Sequence, residues 1–305
     1  MSTLREVAEL SGALSDDDYH VLGSLARFLG RRRYVQVDVI SRIMGRSEDA
    51  ISRSLRKMHS MGLVTRGSAG YSLVYAGLDA LALHSLQRAG HLDALGVPIA
   101  VGKESDVYAG IVGAREVVVK AYRIGRVSFR RLKRLRTYGP HTHEWLLASM
   151  RSAATEFRNL RRLSAVGLPV PKPLSLRYHL LVMERIDGVV LRYVDEAGDP
   201  QALIQQILDA IRRCYVEARL VHADLNEFNL MVSRQGIFIL DWPQAVDAGN
   251  PAAAAYMERD LDNVIRFFRK RFNLVLDPDS AIDYVTGQAE RNPLAQRSDS
   301  SPSTT

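Results

Sequence analysis

The sequence predicts an α+β protein with a small helical N-terminal domain and a larger C-terminal one. Three observations carry this. Apolar residues recur at helical spacing from Val21 to Met58. Two short alternating segments follow around Gly67–Gly70. From Ile99 onward, β-branched runs come first and long amphipathic runs after. The 305 residues suffice for two domains, and 47% hydrophobic against 25% charged residues leaves apolar side chains for a core in each. No apolar run reaches the roughly 18 residues of a membrane span, and MSTLREVAEL lacks the apolar stretch of a secretory signal. The reading is a cytoplasmic protein without membrane association. One cysteine, Cys214, excludes an internal disulfide and reads as a small buried hydrophobe.

In the N-terminal domain, Ser15 is placed to cap a helix whose first turn is Asp16, Asp17 and Asp18. A second helix fits Val37–Met44, and a third starts at Ser47 and ends at Gly62. LVTR and YSLVY then form a hairpin, expected to be longer-looped, across Gly67-Ser68-Ala69-Gly70. A helix from about Leu78 to Arg88 follows. Three helices and a hairpin is the order of a winged helix-turn-helix. Its third helix would present Arg53, Arg56 and Lys57 outward, with Arg46 beside it and Arg66 in the wing, as contacts for nucleic acid. The alternative is a solvated face on a protein-docking module.

AGHLDALGVP, residues 89–98, breaks the periodicity and reads as the join. Ile99–Lys120 reads as strands, with Val101, Gly102, Lys103, Glu104 and Ser105 at a bend that could lay N–H groups over phosphates. Lys120 closes a V-V-V-K run, where a strand-end ammonium needs an anion. From Arg123 to Arg136 stand seven basic residues and no acidic one, a segment suited to RNA or to nucleotide phosphates. A helix over Ala153–Leu163 carries Glu156, which could reach Lys120. HLLVMERIDG is apolar until Glu184, where a strand becomes a connector. Helices are expected from Asp199 to Leu220, from Met257 to Phe272 and, shorter, over Ala281–Gln288.

The chemistry concentrates in VHADLNEFNLMVSRQGIFILDW, Val221–Trp242. H-x-D-x-x-x-x-N, an apolar hairpin and then Asp is the spacing that phosphoryl transfer needs. Asp224 would take or orient the proton of an attacking hydroxyl. Asn229 and Asp241 would hold Mg²⁺, and Lys120 would neutralise phosphate charge. ATP and Mg²⁺ are the implied cofactors.

These residues resemble the RIO kinases, a family of atypical protein kinases, and in particular the type that carries an N-terminal winged helix. GKESDVY (Gly102–Tyr108) is similar to that family's phosphate loop, VHADLNEFNLMV to its catalytic loop, LDWPQAV to its metal loop and KAYRIGRVSFR to its lysine strand and basic loop. The resemblance implies a winged helix-turn-helix followed by a two-lobed protein-kinase-like domain. The expected boundaries are 1–90 for the winged helix, 91–98 for a linker and 99–186 for the first lobe, with a flexible basic loop over 123–150. The second lobe would span 187–288, and a disordered tail 289–305.

The resemblance also implies Asp224 as catalytic base, Asn229 and Asp241 as Mg²⁺ ligands, and a Lys120–Glu156 ion pair. Lys103 and Ser105 would meet phosphates, and Glu184 and Ile186 would supply the backbone that meets adenine. Mn²⁺ could substitute for Mg²⁺. Implied functions are serine/threonine phosphorylation, often of the protein itself, and maturation of the pre-small ribosomal subunit, with ATP turnover as a release switch and rRNA met through the winged helix and basic loop. Oligomeric state stays open. Ala100 and Ala223 stand where relatives often have glycine, which bears on loop geometry and not on the charged groups. D-F-G and A-P-E are absent. The alternatives are a small-molecule phosphotransferase of the aminoglycoside type and a nucleic-acid-binding regulator with a vestigial kinase domain.

Overall fold

The structure, a computed structural model, describes residues 3–125, 142–195 and 198–294. It divides into two compact units. One comprises Met1–Ala154 with Pro173–Arg185, and the other Thr155–Lys172 with Ile186–Thr305.

The first unit opens with a helix the reading above lacks. In α1 (Leu4–Ser11), Thr3 and Glu6 cap each other reciprocally, and Leu4 and Val7 are fully buried. Helix α2 (Asp16–Arg27) starts at Ser15, whose side chain and that of Asp18 form a second reciprocal cap. Helices α3 (Val37–Met44) and α4 (Glu48–Ser60) follow, then strands β1 (Val64–Gly67) and β2 (Gly70–Leu73). Pairing of Gly67 with Gly70 leaves Ser68–Ala69 as a two-residue turn, tighter than expected. Gly70 follows at φ +123°, where a Cβ would stand 2.2 Å from the Val35 carbonyl oxygen.

Helix α5 (Tyr75–Arg88) is buried on most of its circumference. Leu78 and Leu81 join the cluster formed by Val21, Leu22, Leu55 and Met58. Ala82, Leu83 and Leu86 join another, made of Tyr108, Val117, Val119, Ala121, Leu180 and Val182 from the neighbouring sheet. That second cluster is why the N-terminal helices and the sheet fall in one unit.

The sheet runs in the order β3 (Ala94–Val101), β4 (Ser105–Val112), β5 (Arg115–Tyr122), β7 (Leu180–Glu184), β6 (Pro173–Arg177), all antiparallel. Strand β3 begins inside the segment expected as a linker. It is the outer strand, with register shifts on both sides of Pro98 and with Val97, Ile99 and Val101 exposed. Helix α6 (Thr142–Ala165) is far longer than the 153–163 helix expected, so residues 142–150 are helical and not loop. Residues 126–141, most of the expected basic loop, lie outside the described residues.

In the second unit, Asp199 caps α7 (Pro200–Val216) through the N–H groups of Gln201 and Ala202. Two small sheets follow, β8 (Gly188–Val190) with β10 (Leu230–Ser233) and β11 (Gly236–Ile239), and β9 (Leu220–Val221) with β12 (Val246–Asp247). Helices α8 (Ala253–Phe272) and α9 (Pro278–Thr286) complete it. The start of the expected disordered tail is packed: Leu294 is buried, and Asn292 Nδ2 donates to Asp209 Oδ1 of α7 at 2.9 Å. Residues 295–305 lie outside the described residues. Among the described residues no helix is long and apolar enough to cross a membrane.

One glycine sets the contact of α5 with the hairpin. A Cβ on Gly77 would stand 2.1 Å from the Leu63 carbonyl oxygen. Alanine gains about 1 kcal/mol of helix propensity, but overpacking a tight contact costs roughly 1–3 kcal/mol. The clash wins. Gly77→Ala should therefore lower the denaturant midpoint of unfolding, where an exposed helical glycine changed in the same way would raise it.

Candidate active site

The 222–229 loop owes its shape to one buried carboxylate. Asp260 on α8 accepts the N–H of Ala223 at 2.8 Å and that of Leu225 at 2.9 Å. On either side of it, Arg259 donates to the Ala223 carbonyl, and Asn263 Nδ2 to the Leu225 carbonyl at 3.1 Å. Ala223 sits at φ +64°, a left-handed conformation that costs a residue with a Cβ roughly 1–2 kcal/mol. The flanking bonds hold it there. Burial pushes the Asp260 carboxyl up to about 6, against the two N–H groups and Arg259, which lower it.

His222 joins this loop to the strand end carrying Asp241. Its Nε2 donates to the Leu240 carbonyl at 2.8 Å, while Nδ1 accepts the Asp224 N–H at 3.3 Å, which fixes the tautomer. The Leu240 N–H in turn donates to the Asn229 carbonyl at 2.8 Å. Leu240 is thus bonded on both sides to the loop, and Asp241 follows it directly. Asp241 adopts φ +65°, a region that aspartate tolerates better than most residues. Asn229 Nδ2 donates to the Asp224 carbonyl at 2.9 Å. That bond commits the amide nitrogen and leaves Oδ1 as the acceptor end.

Helix α6 holds the other side of Asp241. Glu156 accepts the Trp242 N–H at 3.2 Å, and Asn159 Nδ2 donates to the Trp242 carbonyl at 2.9 Å. The buried Trp242 indole donates to the Ile239 carbonyl at 3.0 Å and lies 4.6 Å from the His222 ring. A role for Glu156 at the backbone after Asp241 was not foreseen. Asp224, Asn229, Asp241 and Glu156 are therefore drawn together in the second unit. Asp224 is exposed, and Asn229 and Glu156 are buried.

The first unit assembles the remaining residues. Lys120 is buried on β5, paired with Val107 of β4 and Leu181 of β7, its ammonium 5.0 Å from the Tyr122 ring centre. The bend 102–105 is closed by the Gly102 N–H donating to the Ser105 carbonyl at 2.8 Å. Val101, Gly102, Lys103 and Glu104 are exposed there. Glu184 ends β7 opposite Val117, and Ile186 follows in the second unit.

A divalent cation fits the donor set. Asn229 and Asp241 offer an amide oxygen and a carboxylate, the hard oxygens Mg²⁺ takes when phosphates supply the rest. No group of three or more His, Cys, Asp or Glu among the described residues could hold a metal ion by itself.

In the N-terminal domain two of the five basic residues expected at nucleic acid also have protein partners. Lys57 Nζ lies 2.7 Å from the Asp18 carboxylate and donates to the Ala13 carbonyl, and Arg46 pairs with Asp17 at 3.2 Å. Both brace α4 and its approach against α2 while remaining exposed. Arg53, Arg56 and Arg66 are exposed.

Comparison with known proteins adds the following. A family model for the RIO domain matches residues 106–281, and one for the Rio2 N-terminal region matches 12–89. The serine/threonine-protein kinase rio2 of Schizosaccharomyces pombe is 33% identical over 287 residues, 92% of this chain and 83% of that protein. The RIO-type serine/threonine-protein kinase Rio2 of Methanocaldococcus jannaschii is 34% identical over 266 residues, 83% of this chain and 98% of that one. Among solved structures, the Rio2 kinase ADP/Mg²⁺-phosphoaspartate complex from Chaetomium thermophilum superposes with a TM-score of 0.80 at 28% identity, covering 97% of this chain and 94% of that chain.

The raised Asp260 carboxyl sets a pH dependence. A folded pKa of about 6 above the ordinary 3.8 means the folded state binds the extra proton between those values. That contribution to stability grows as pH falls from about 6 to 4 and is flat above. Relative to Asp260→Asn, which does not titrate, the wild type should gain up to about 3 kcal/mol across that window, read from denaturant melts. Asp260→Ala should be worse at every pH, each of two orphaned N–H groups costing about 1–3 kcal/mol.

Proposed function

The chain belongs to the RIO family of atypical serine/threonine protein kinases, in its Rio2 branch, and on that premise we propose that it uses ATP and Mg²⁺ as a kinase and ATPase whose turnover acts as a switch. Asp224 takes or orients the proton of the attacking hydroxyl or water. Asn229 and Asp241 hold Mg²⁺, with Mn²⁺ as a substitute. Lys120 and the N–H groups of the 101–105 bend neutralise and cradle the phosphates, and Glu184 and Ile186 offer backbone groups to adenine. Bound Mg²⁺ supplies charge neutralisation at the phosphates. The observation that carries this reading is the double attachment of Leu240 to the 222–229 loop, which keeps Asp241 at a fixed offset from Asp224 and Asn229.

Asp241 is also the residue we propose as acceptor of a phosphoryl group. The Chaetomium complex, described as holding ADP, Mg²⁺ and phosphoaspartate, supports it by analogy. So does the short path after Asp241, where β12 and then α8 from Ala253 leave no long segment for docking a peptide substrate. Family membership sets the small-molecule phosphotransferase aside. In the cell we propose a cytoplasmic role in maturation of the pre-small ribosomal subunit. The exposed Arg53, Arg56 and Arg66 and the basic 123–136 sequence would meet rRNA phosphates there.

The test is purified protein with γ-phosphate-labelled ATP, with and without small-subunit particles. The expected product includes acid-labile, alkali-sensitive aspartyl phosphate, and particles change the turnover rate. Asp241→Ala should bind nucleotide yet lose on the order of 10²–10³-fold in Mg²⁺-dependent turnover. Wild-type turnover in that variant would sink the assignment.

A further inference from the structure

A buried ionic chain in the first unit runs from the N-terminal domain to the phosphate-contacting bend. Its centre is Arg123, three residues after Lys120 and 1% exposed. The Arg123 N–H donates to the Glu104 carbonyl at 2.5 Å, fastening the exit of β5 to the 102–105 bend. Its guanidinium Nη2 lies 2.9 Å from Asp79 of α5, and its Nε lies 3.5 Å from Asp106, directly after the bend. Asp79 and Asp106 are both buried. Asp79 also meets His179 Nε2 at 2.7 Å, and the His179 carbonyl accepts the Tyr122 N–H at 3.1 Å.

One helical turn earlier on the same face of α5, Tyr75 repeats the grip. Its hydroxyl lies 2.8 Å from the Ile124 carbonyl, 3.1 Å from the Trp145 carbonyl and 2.7 Å from Ser149 Oγ, and Ser149 accepts the Ile124 N–H at 2.9 Å. Two residues of one helix thus hold two successive residues at the end of the lysine strand.

Stability alone is a poor reason for this arrangement. Apolar side chains of similar volume would fill the same space without desolvating ions. Nor is the set saturated: Nε and Nη1 of Arg123 and Nδ1 of His179 make no hydrogen bond among the described residues. What a directional ion pair supplies and an oily contact does not is a defined position. Burial works to raise the Asp79 carboxyl and to lower the His179 imidazole. At Asp79 the Arg123 guanidinium and the His179 hydrogen bond overcome it and hold the carboxyl below the usual carboxylate range, while burial keeps the His179 imidazole below its ordinary value.

We infer that helix α5 of the N-terminal domain is a positioning element for the nucleotide-phosphate bend, acting through the Asp79–Arg123 pair. A shift of α5 against the sheet would move Arg123. With it move the Glu104 carbonyl and the end of the strand that carries Lys120. The proposal rests on the nucleotide reading above.

Its test is the full-length double variant Asp79→Leu with Arg123→Met, which removes the pair together and leaves Asp106 as the remaining buried carboxylate. Titration calorimetry with ADP–Mg²⁺ should show about tenfold weaker binding, one step on the affinity scale, and KM for ATP should rise more than kcat falls, in a variant whose melting curve shows it folded. Arg123→Lys, which keeps the charge but not the planar fork, provides a second reading if the double variant does not fold; a KM rise of about threefold is expected. A folded variant that binds ADP–Mg²⁺ as tightly as the wild type, with unchanged KM, overturns the positioning role alone. A wild-type chain that binds no ADP–Mg²⁺ overturns the nucleotide reading and this proposal with it.

Discussion

Two N–H groups of the 222–229 loop end on the Asp260 carboxylate, and the rest of the candidate site depends on that. A loop whose second residue, Ala223, sits at positive φ has no ladder or helix to hold it. It keeps its shape because α8 offers an acceptor below and Arg259 and Asn263 donors beside it. With the loop fixed, His222 can reach the Leu240 carbonyl, and the strand end carrying Asp241 follows. The carboxylate is held in a place where burial disfavours its charge, so the loop is positioned at the expense of stability. Such an arrangement is expected where geometry matters more than the free energy of folding.

Helix α6 completes the frame with polar groups. Glu156 and Asn159, three apart on one helix face, take the N–H and carbonyl of Trp242, so the residue after Asp241 is fixed at both ends of its peptide. The loop and the strand end are thus gripped from opposite helices. The site is defined mostly by backbone groups, and the side chains named in the motif inherit their positions from it.

That explains what was legible in the sequence. Spacing motifs report on neighbours along the chain, so His222, Asp224, Asn229 and Asp241 could be picked out together. The backbone partners could not, because nothing in Leu240 marks its carbonyl. Asp260 did leave a trace: it lies with Met257, Leu261 and Val264 on the inward side of an amphipathic run, where a carboxylate needs a partner. Asp79, inside the nearly all-buried α5, left a similar one. The missed helix α1 had its signal in Thr3-Leu4-Arg5-Glu6. The partner of Lys57 was hidden for the opposite reason. A helical wheel places it outward, and only the fold shows that Asp18, 39 residues earlier, claims it.

Strand β3 has a further consequence for the protein as a solute. Among the described residues the sheet ends on a strand bearing Val97, Ile99 and Val101, an apolar border of the kind on which chains can stack into aggregates. Pro98 withdraws one donor from that border, and the two register shifts beside it bend the strand out of the line an incoming strand would need. Both features make that edge a poor template for a second copy of the same strand.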